Sequence, residues 1–357
     1  VREERPIVRT RLAIAGRAGH TIGLEVVRPE GRGPFPALID VHGGAWSHFG
    51  PEVDFVWCEG LARRGLAMIS VRMRLAPEHP FPACFEDVRD ATRWVRAHAR
   101  ELAIDHARLG VIGGSTGGHL ALLLGLDPPI ARSPTKEGDP EGRADLVVAL
   151  WPVVDVPARY RMVSGDRRSG PIDEAPTQER RTATRTPDTA RLVRALRSLE
   201  HARRVSQGAI DPLIAFGQRL VAWLGERALA REKLYLALRR GHEGAFADEA
   251  AMAAASPAQL VREGRHAARP PVLIVEGARD PNLVPGATAA FAATYRARGG
   301  CATYERVPSL GHSYGNVPGP DADRLIERVA RWLERSWPAA QRTCAASAAR
   351  APEGRGW

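Results

Sequence analysis

Val111-Ile112-Gly113-Gly114-Ser115-Thr116-Gly117-Gly118-His119 is the stretch from which the rest of the chain can be read. An apolar run ends in Gly-x-Ser-x-Gly, and an apolar helical pattern (Leu120, Leu122, Leu123, Leu124) follows at once. A serine between a strand and a helix, with glycine two residues away on each side, suits a sharp turn that presents its hydroxyl to a cleft. Such a turn strains the serine backbone and leaves no room for side chains at the flanking positions. A Gly-rich turn with an incidental serine has the same local pattern, so partners elsewhere in the chain must decide.

Short apolar runs recur at residues 37–41, 67–71, 109–112, 146–151 and 271–276, separated by helix-length segments. That alternation predicts an α/β fold, a mostly parallel central sheet covered by helices on both faces. Residues 7–15 and 21–28 read as opening strands and 302–307 as the last one. Helices are predicted over 55–64, 85–100, 287–298 and 324–333. In the second of these Val88, Ala91, Val95 and Ala99 form one apolar stripe. Ligands of such sheets sit at the carboxyl ends of strands. His42-Gly43-Gly44 follows one strand directly and Ser115 another, so both belong on that edge.

Between residues 156 and 256 the alternation breaks. Residues 159–187 are polar, with Gly165, Gly170, Pro171, Pro176 and Pro187, and read as a long loop. Residues 189–204 (Leu192, Leu196, Leu199) and 210–230 (Leu213, Phe216, Leu220, Trp223, Leu224) read as helices with one buried stripe and an arginine-rich polar face. We expect a helical cap or lid over the strand ends; a basic amphipathic helix on a membrane surface is the competing reading. The α/β core is then 1–155 with 257–336, and the Ala/Arg/Gly-rich residues 337–357 are expected as a disordered tail.

The 357 residues carry a net charge of +10, yet nearly all basic residues are arginine, spread along a chain also rich in Ala, Gly and Pro. No basic block interleaved with aromatics and no nucleic-acid-binding motif appears, so nucleic acid is not the expected partner. No run of about 18 apolar residues exists, and no transmembrane helix is predicted. The first residues show no apolar segment of a signal peptide. Cys58, Cys84, Cys301 and Cys344 are scattered, without zinc or disulfide spacing. Free thiols and a cytoplasmic location are the simplest expectation.

Ser115, Asp280 and His312 each follow a predicted strand, in the order Ser, Asp, His. A serine hydroxyl needs a base to take its proton, and the imidazole needs a carboxylate to fix its tautomer and stabilise its charged form. Asp280 could instead cap the Asp-Pro-Asn turn, and His312 could be a solvated loop histidine. All three at strand ends in the required order favour the catalytic reading. Attack by Ser115 on a carbonyl creates an oxyanion that preorganised amides must meet. The amide of Thr116, with those of Gly43, Gly44 or Ala45, would supply that hole. Trp46 and Trp151 sit just past strand ends, as candidates either for the substrate pocket or for core packing. His119 reads as structural.

These residues resemble the α/β-hydrolase superfamily, and within it the hormone-sensitive-lipase-like bacterial carboxylesterases. The matching stretches are His42-Gly43-Gly44-Ala45-Trp46, Arg74-Leu75-Ala76-Pro77-Glu78-His79-Pro80-Phe81-Pro82-Ala83, Gly113-Gly114-Ser115-Thr116-Gly117-Gly118, Asp280 and Gly311-His312. The resemblance implies serine-esterase chemistry on short- or medium-chain acyl esters, with no metal and no cofactor. Three departures stand out. Ala45 replaces the last glycine of the usual His-Gly-Gly-Gly. Gly114 and Thr116 flank the serine where aspartate and alanine are common. The main insertion lies after the Trp151 strand, whereas the cap of that family is usually N-terminal.

The leading expectation is therefore a carboxylesterase with Ser115 as nucleophile, His312 as base and acid, and Asp280 as orienter. Its partner is a small-molecule ester, and a homodimer stays open. A peptidase or amidase on the same machinery, or a ligand-binding relative that has lost catalysis, are the rivals.

Overall fold

The structure is a computed structural model that describes residues 5–17, 19–130, 140–165 and 231–348. Its centre is an eight-stranded sheet in the order β1-β2-β4-β3-β5-β6-β7-β8. The strands are β1 (Ile7–Ala15), β2 (Thr21–Pro29), β3 (Phe35–Val41), β4 (Ala67–Arg72), β5 (Ile104–Gly114), β6 (Val147–Leu150), β7 (Val272–Gly277) and β8 (Ala302–Val307). β1 pairs with β2, and β2 with β4, antiparallel; every other pairing is parallel.

The central strands read as continuous apolar runs because both faces are covered, and the period of two sends alternate residues to opposite layers. Ile39, Ile69, Val111, Ala149 and Ile274 face one core, and Leu38, Met68, Ile112, Val148 and Leu273 the other. On the first side lie α2 (Ala83–Ala97), α3 (Thr116–Leu126), α7 (Pro257–Glu263) and α8 (Ala287–Ala297). On the second lie α1 (Phe55–Arg63) and α9 (Pro320–Ala348). α3 is buried along its whole length, which explains why its sequence is apolar all round.

The region expected as a cap begins with α4 (Val156–Ser164) and resumes with α5 (Arg231–Ala245) and α6 (Glu249–Ala254). The expected helices over 189–204 and 210–230 lie outside the described residues. Residues 159–164, expected to open a long loop, are instead helical. The Asp155 side chain caps α4 by accepting from the Ala158 amide, Pro157 stands in the first turn, and Gly165 closes the helix in a left-handed conformation. α4 packs against α5 and α6.

Two other boundaries differ from expectation. β5 begins at Ile104, because its first half carries Asp105, His106 and Arg108 on an exposed stretch that has no apolar signature. α9 runs through Pro338 to Ala348, so the first part of the expected disordered tail is helical backbone. The alanine-rich sequence there has high helix propensity.

Candidate active site

The serine turn is built by crowding. Ser115 sits between β5 and α3 at φ 58°, ψ −119°, a conformation that costs an L-residue of order 1–3 kcal/mol. Its amide donates to the Leu150 carbonyl on the neighbouring strand, and its carbonyl accepts from His119 in the first turn of α3. α3 can begin that close to the sheet only because residue 117 lacks a side chain. A Cβ on Gly117 would stand 1.8 Å from the Val41 carbonyl oxygen at the end of β3. The spacing seen in the sequence thus has a direct steric cause, and it leaves Ser115 partly open to solvent at 9% exposure.

Asp280 and His312 come from the loops after β7 and β8. Oδ2 of Asp280 pairs with Nδ1 of His312 at 2.7 Å, and Oδ1 accepts from the Asn282 amide at 2.8 Å. The imidazole therefore carries its proton on Nδ1, which leaves the Nε2 lone pair available as a base. Backbone bonds hold the two loops together, from Ala278 to the Val307 carbonyl and from Arg279 to that of Leu310. Trp151, at the end of β6 between the serine and aspartate strands, backs the histidine with ring centroids 6.2 Å apart.

Behind His312 a second anchor crosses the sheet edge. The Asn316 amide donates to the Val53 carbonyl at 2.6 Å and to Oδ1 of Asp54 at 3.0 Å. This bond ties the histidine loop to the short 3₁₀ turn Pro51–Asp54, which follows the Gly-Gly loop.

The Gly-Gly loop lies against the elbow: a Cβ on Gly43 would be 3.3 Å from Cβ of Ser115. Gly44, Ala45 and Trp46 all have positive φ (122°, 52° and 61°), and the Gly44 carbonyl accepts from the amides of Ser47 and His48. Among the described residues no acceptor engages the amides of Gly43, Gly44 or Ala45. These amides and that of Thr116, in the first turn of α3, are the donors that the oxyanion expectation names. The Ala45 methyl is accommodated from the other side by Gly241 of α5, where a Cβ would come within 2.8 Å of it. The glycine missing from the loop is in effect matched by one in α5.

Burial sets the protonation of the groups beneath the loop. His42 lies wholly buried, with Nδ1 on the Gly43 carbonyl, and burial pulls its pKa down to about 4. His119 is likewise lowered to about 4 by burial. Its Nε2 bonds the Ala255 carbonyl at 2.8 Å, and its Nδ1 accepts from the Trp46 indole at 3.2 Å. His119 is thus a structural residue, as expected, a neutral link between α3, Trp46 of the Gly-Gly loop and the turn at Ala255. Asp40, wholly buried on β3, is lifted to about 6 by desolvation, opposed by hydrogen bonds from Trp57, Ser70 and Cys58. Burial and the charge of Asp40 also raise Asp54.

Trp46 and Trp151 are each 1% exposed. Trp46 is enclosed by His119, His242 and Phe246, and Trp151 by Trp57 and Tyr314. They pack the walls behind the site, so a direct pocket role, one of the two expectations, does not match their placement. The apolar surface that does adjoin Ala45 comes from α4 and α5, through Met162, Val163, Leu238 and Tyr235. Sequence reasoning had no signal for Asn316, Asp54 or Gly241, whose partners are more than 190 residues away in the chain. Among the described residues no cluster of three His, Cys, Asp or Glu side chains is placed to hold a metal ion.

A strained serine at a parallel strand's end and an Asp–His pair two strands away sit on one edge of a sheet with the α/β-hydrolase fold. Solved esterases share the fold. The esterase of Pyrobaculum calidifontis matches over 93% of this chain and 84% of its own, with a TM-score of 0.60 and 22% identity. Brefeldin A esterase, a bacterial homologue of human hormone-sensitive lipase, matches over 95% of this chain and 79% of its own, with a TM-score of 0.62 and 20% identity. In sequence, residues 24–186 match the BD-FAE family. Ethyl acetate hydrolase of Pseudomonas putida is 34% identical over 172 residues, 47% of this chain and 52% of that protein. Esterase LipC of Mycobacterium tuberculosis is 31% identical over 196 residues, 52% of this chain and 44% of that protein. In sequence the chain is thus similar to the BD-FAE family and to bacterial esterases, and in fold to a homologue of hormone-sensitive lipase. The aligned part spans about half the length of these curated relatives.

Proposed function

We propose that the protein is a serine carboxylic-ester hydrolase acting on short- to medium-chain acyl esters, with Ser115 as nucleophile, His312 as general base and acid, and Asp280 as its orienter. The observation that carries this reading is the 2.7 Å Asp280–His312 pair on the same sheet edge as the strained Ser115. Ser115 Oγ attacks the ester carbonyl carbon while its proton passes to Nε2 of His312. The carbonyl oxygen takes the negative charge and is met by the amides of Gly43, Gly44 or Ala45 and Thr116, each such donor being worth about 3 kcal/mol of barrier. Collapse of the tetrahedral intermediate breaks the bond to the alkoxy oxygen, which leaves with the proton from His312. Water, deprotonated by the same imidazole, then releases the acid from the acyl-enzyme.

Names of relatives support the choice of esters, since ethyl acetate hydrolase acts on a short acyl ester by its own name. The apolar cap residues beside Ala45 suit an acyl chain of modest length. The test is labelling by a fluorophosphonate probe together with turnover of a p-nitrophenyl ester series of increasing acyl length. The wild type should label and hydrolyse, and Ser115→Ala should lose labelling and at least about 10⁴ of kcat. Labelling that survives in Ser115→Ala, or a wild type that neither labels nor hydrolyses, would sink the assignment.

A further inference from the structure

α4 carries Arg159 inward from the cap to the catalytic edge. The residue is 1% exposed, and its Nε donates to the Asn282 carbonyl at 2.9 Å. Nη1 is buried with no hydrogen-bond partner. Among the described residues the guanidinium makes no ion pair. Asp280 is the carboxylate that acts on it through space, but both of its oxygens are engaged, Oδ2 with His312 and Oδ1 with the Asn282 amide. Burial lowers the Arg159 pKa to about 10, which still leaves a full cation at neutral pH.

A buried guanidinium without a counter-charge is destabilising, and folded proteins ordinarily pair it. Among the described residues only the Asp280 carboxylate faces it, and that carboxylate is already engaged by His312 and the Asn282 amide. The groups within its electrostatic reach besides Asp280 are His119, His242 and Tyr235. His242 is held neutral by burial, its pKa falling to about 3. Two further buried atoms beside this charge, Nε2 of His242 and Oδ1 of Asn282, also have no partner. The cluster is bounded by the elbow helix (His119), the Asp280 loop and the cap helix α5 (Tyr235, His242). Through Asn282 it adjoins Asp280, which holds His312.

We propose that Arg159 recognises an ionised carboxylate on the substrate, so that the favoured substrates are hemiesters, esters carrying a second, free carboxyl group. The proposal rests on the Ser115 esterase reading above. A planar guanidinium fork fits a carboxylate in two parallel hydrogen bonds, and desolvation makes those bonds strong. The net charge of +10 favours approach of an anionic ester as well.

The test compares kcat/KM for p-nitrophenyl hemiadipate and p-nitrophenyl hexanoate, which share an acyl length and differ in the terminal charge. The wild type should favour the hemiester by about tenfold or more, and Arg159→Met should collapse that ratio, with Arg159→Lys keeping part of it. Arg161→Met removes a positive charge from the same helix, where Arg161 pairs with Glu249 at the surface, and should leave the ratio in place. A wild-type ratio near or below one overturns the proposal. So does an Arg159→Met enzyme that loses the same factor on both esters, since Arg159 would then only hold the Asp280–Asn282 turn. Failure of the wild type on both esters would instead strike the esterase reading, and the hemiester proposal would fall with it.

Discussion

Replacing Asp40 with asparagine should change how stability depends on pH, and the structure gives both sign and size. Asp40 is wholly buried three residues before Gly43, and its pKa is lifted from 3.8 to about 6. In the unfolded chain the carboxyl returns to its ordinary value. Between these two values the folded protein keeps a proton that the unfolded chain has released, so stability falls as pH rises. The favourable contribution is complete below about pH 4 and is lost as pH rises through about 6, a change of about 3 kcal/mol. Asparagine cannot ionise, and its amide oxygen can still accept from the Trp57 indole, which bonds Oδ1 at 3.1 Å in the wild type. Removing the Asp40 charge also relieves Asp54, whose pKa that charge helps to raise.

Asp40→Asn should therefore gain about 3 kcal/mol on the wild type between about pH 4 and about pH 8. The difference between the two proteins is the quantity to read. His42, His119 and His242, lowered to about 4, about 4 and about 3, act in the opposite sense, losing stability as pH falls below their ordinary 6.5. Urea unfolding followed by tryptophan fluorescence at a series of pH values gives both curves. A stability difference that stays constant across that range would refute the placement of a protonated carboxyl beneath the oxyanion loop.

Asp280→Asn should keep the fold and lower kcat by about 10⁴, because the amide can no longer hold His312 in the Nδ1-protonated tautomer; circular dichroism and ester turnover check the two halves. Trp151→Ala should lower stability by about 3–5 kcal/mol in urea, since Trp57 and Tyr314 pack on the ring. Ester turnover should fall with it because His312 loses its backing. Ala45→Gly should raise the melting free energy by about 0.5–1 kcal/mol, because φ at residue 45 is 52° and an L-side chain is strained there; thermal unfolding is the measurement.

Much of this fold was legible because its signals are local. Apolar runs flanked by Gly and Pro marked the parallel strands, and the strands over 7–15 and 302–307 fall where expected. The Ser, Asp and His positions followed from strand ends, because a parallel sheet collects its loops on one edge. The features that were missed depend on contacts far apart in the chain. Arg159 is one arginine among many until burial removes its partners. Asn316 gains a role only when the histidine loop meets the turn at Asp54. α4 was hidden because residues 159–164 read as the start of a polar loop, and its Asp155 cap acts only through a contact with the Ala158 amide. Trp46 and Trp151, aromatic and next to the site in sequence, could not be assigned to pocket or packing without knowing what surrounds them.

The pairing of β6 between β5 and β7 has a consequence for how the molecule is made. β6 ends at Leu150, and β7, its partner on the far side, begins only at Val272. At a synthesis rate of about 5–20 residues per second, the ribosome needs roughly ten seconds to add the intervening stretch. Throughout that interval Val147–Leu150 is an apolar strand with one unpaired edge, a template for pairing with another chain. The Ser115 turn can already form then, before Asp280 and His312 have been made. The nascent chain is exposed to aggregation before the proposed triad can assemble, so yield on expression should respond to chaperones and temperature more than to substitutions at Asp280 or His312.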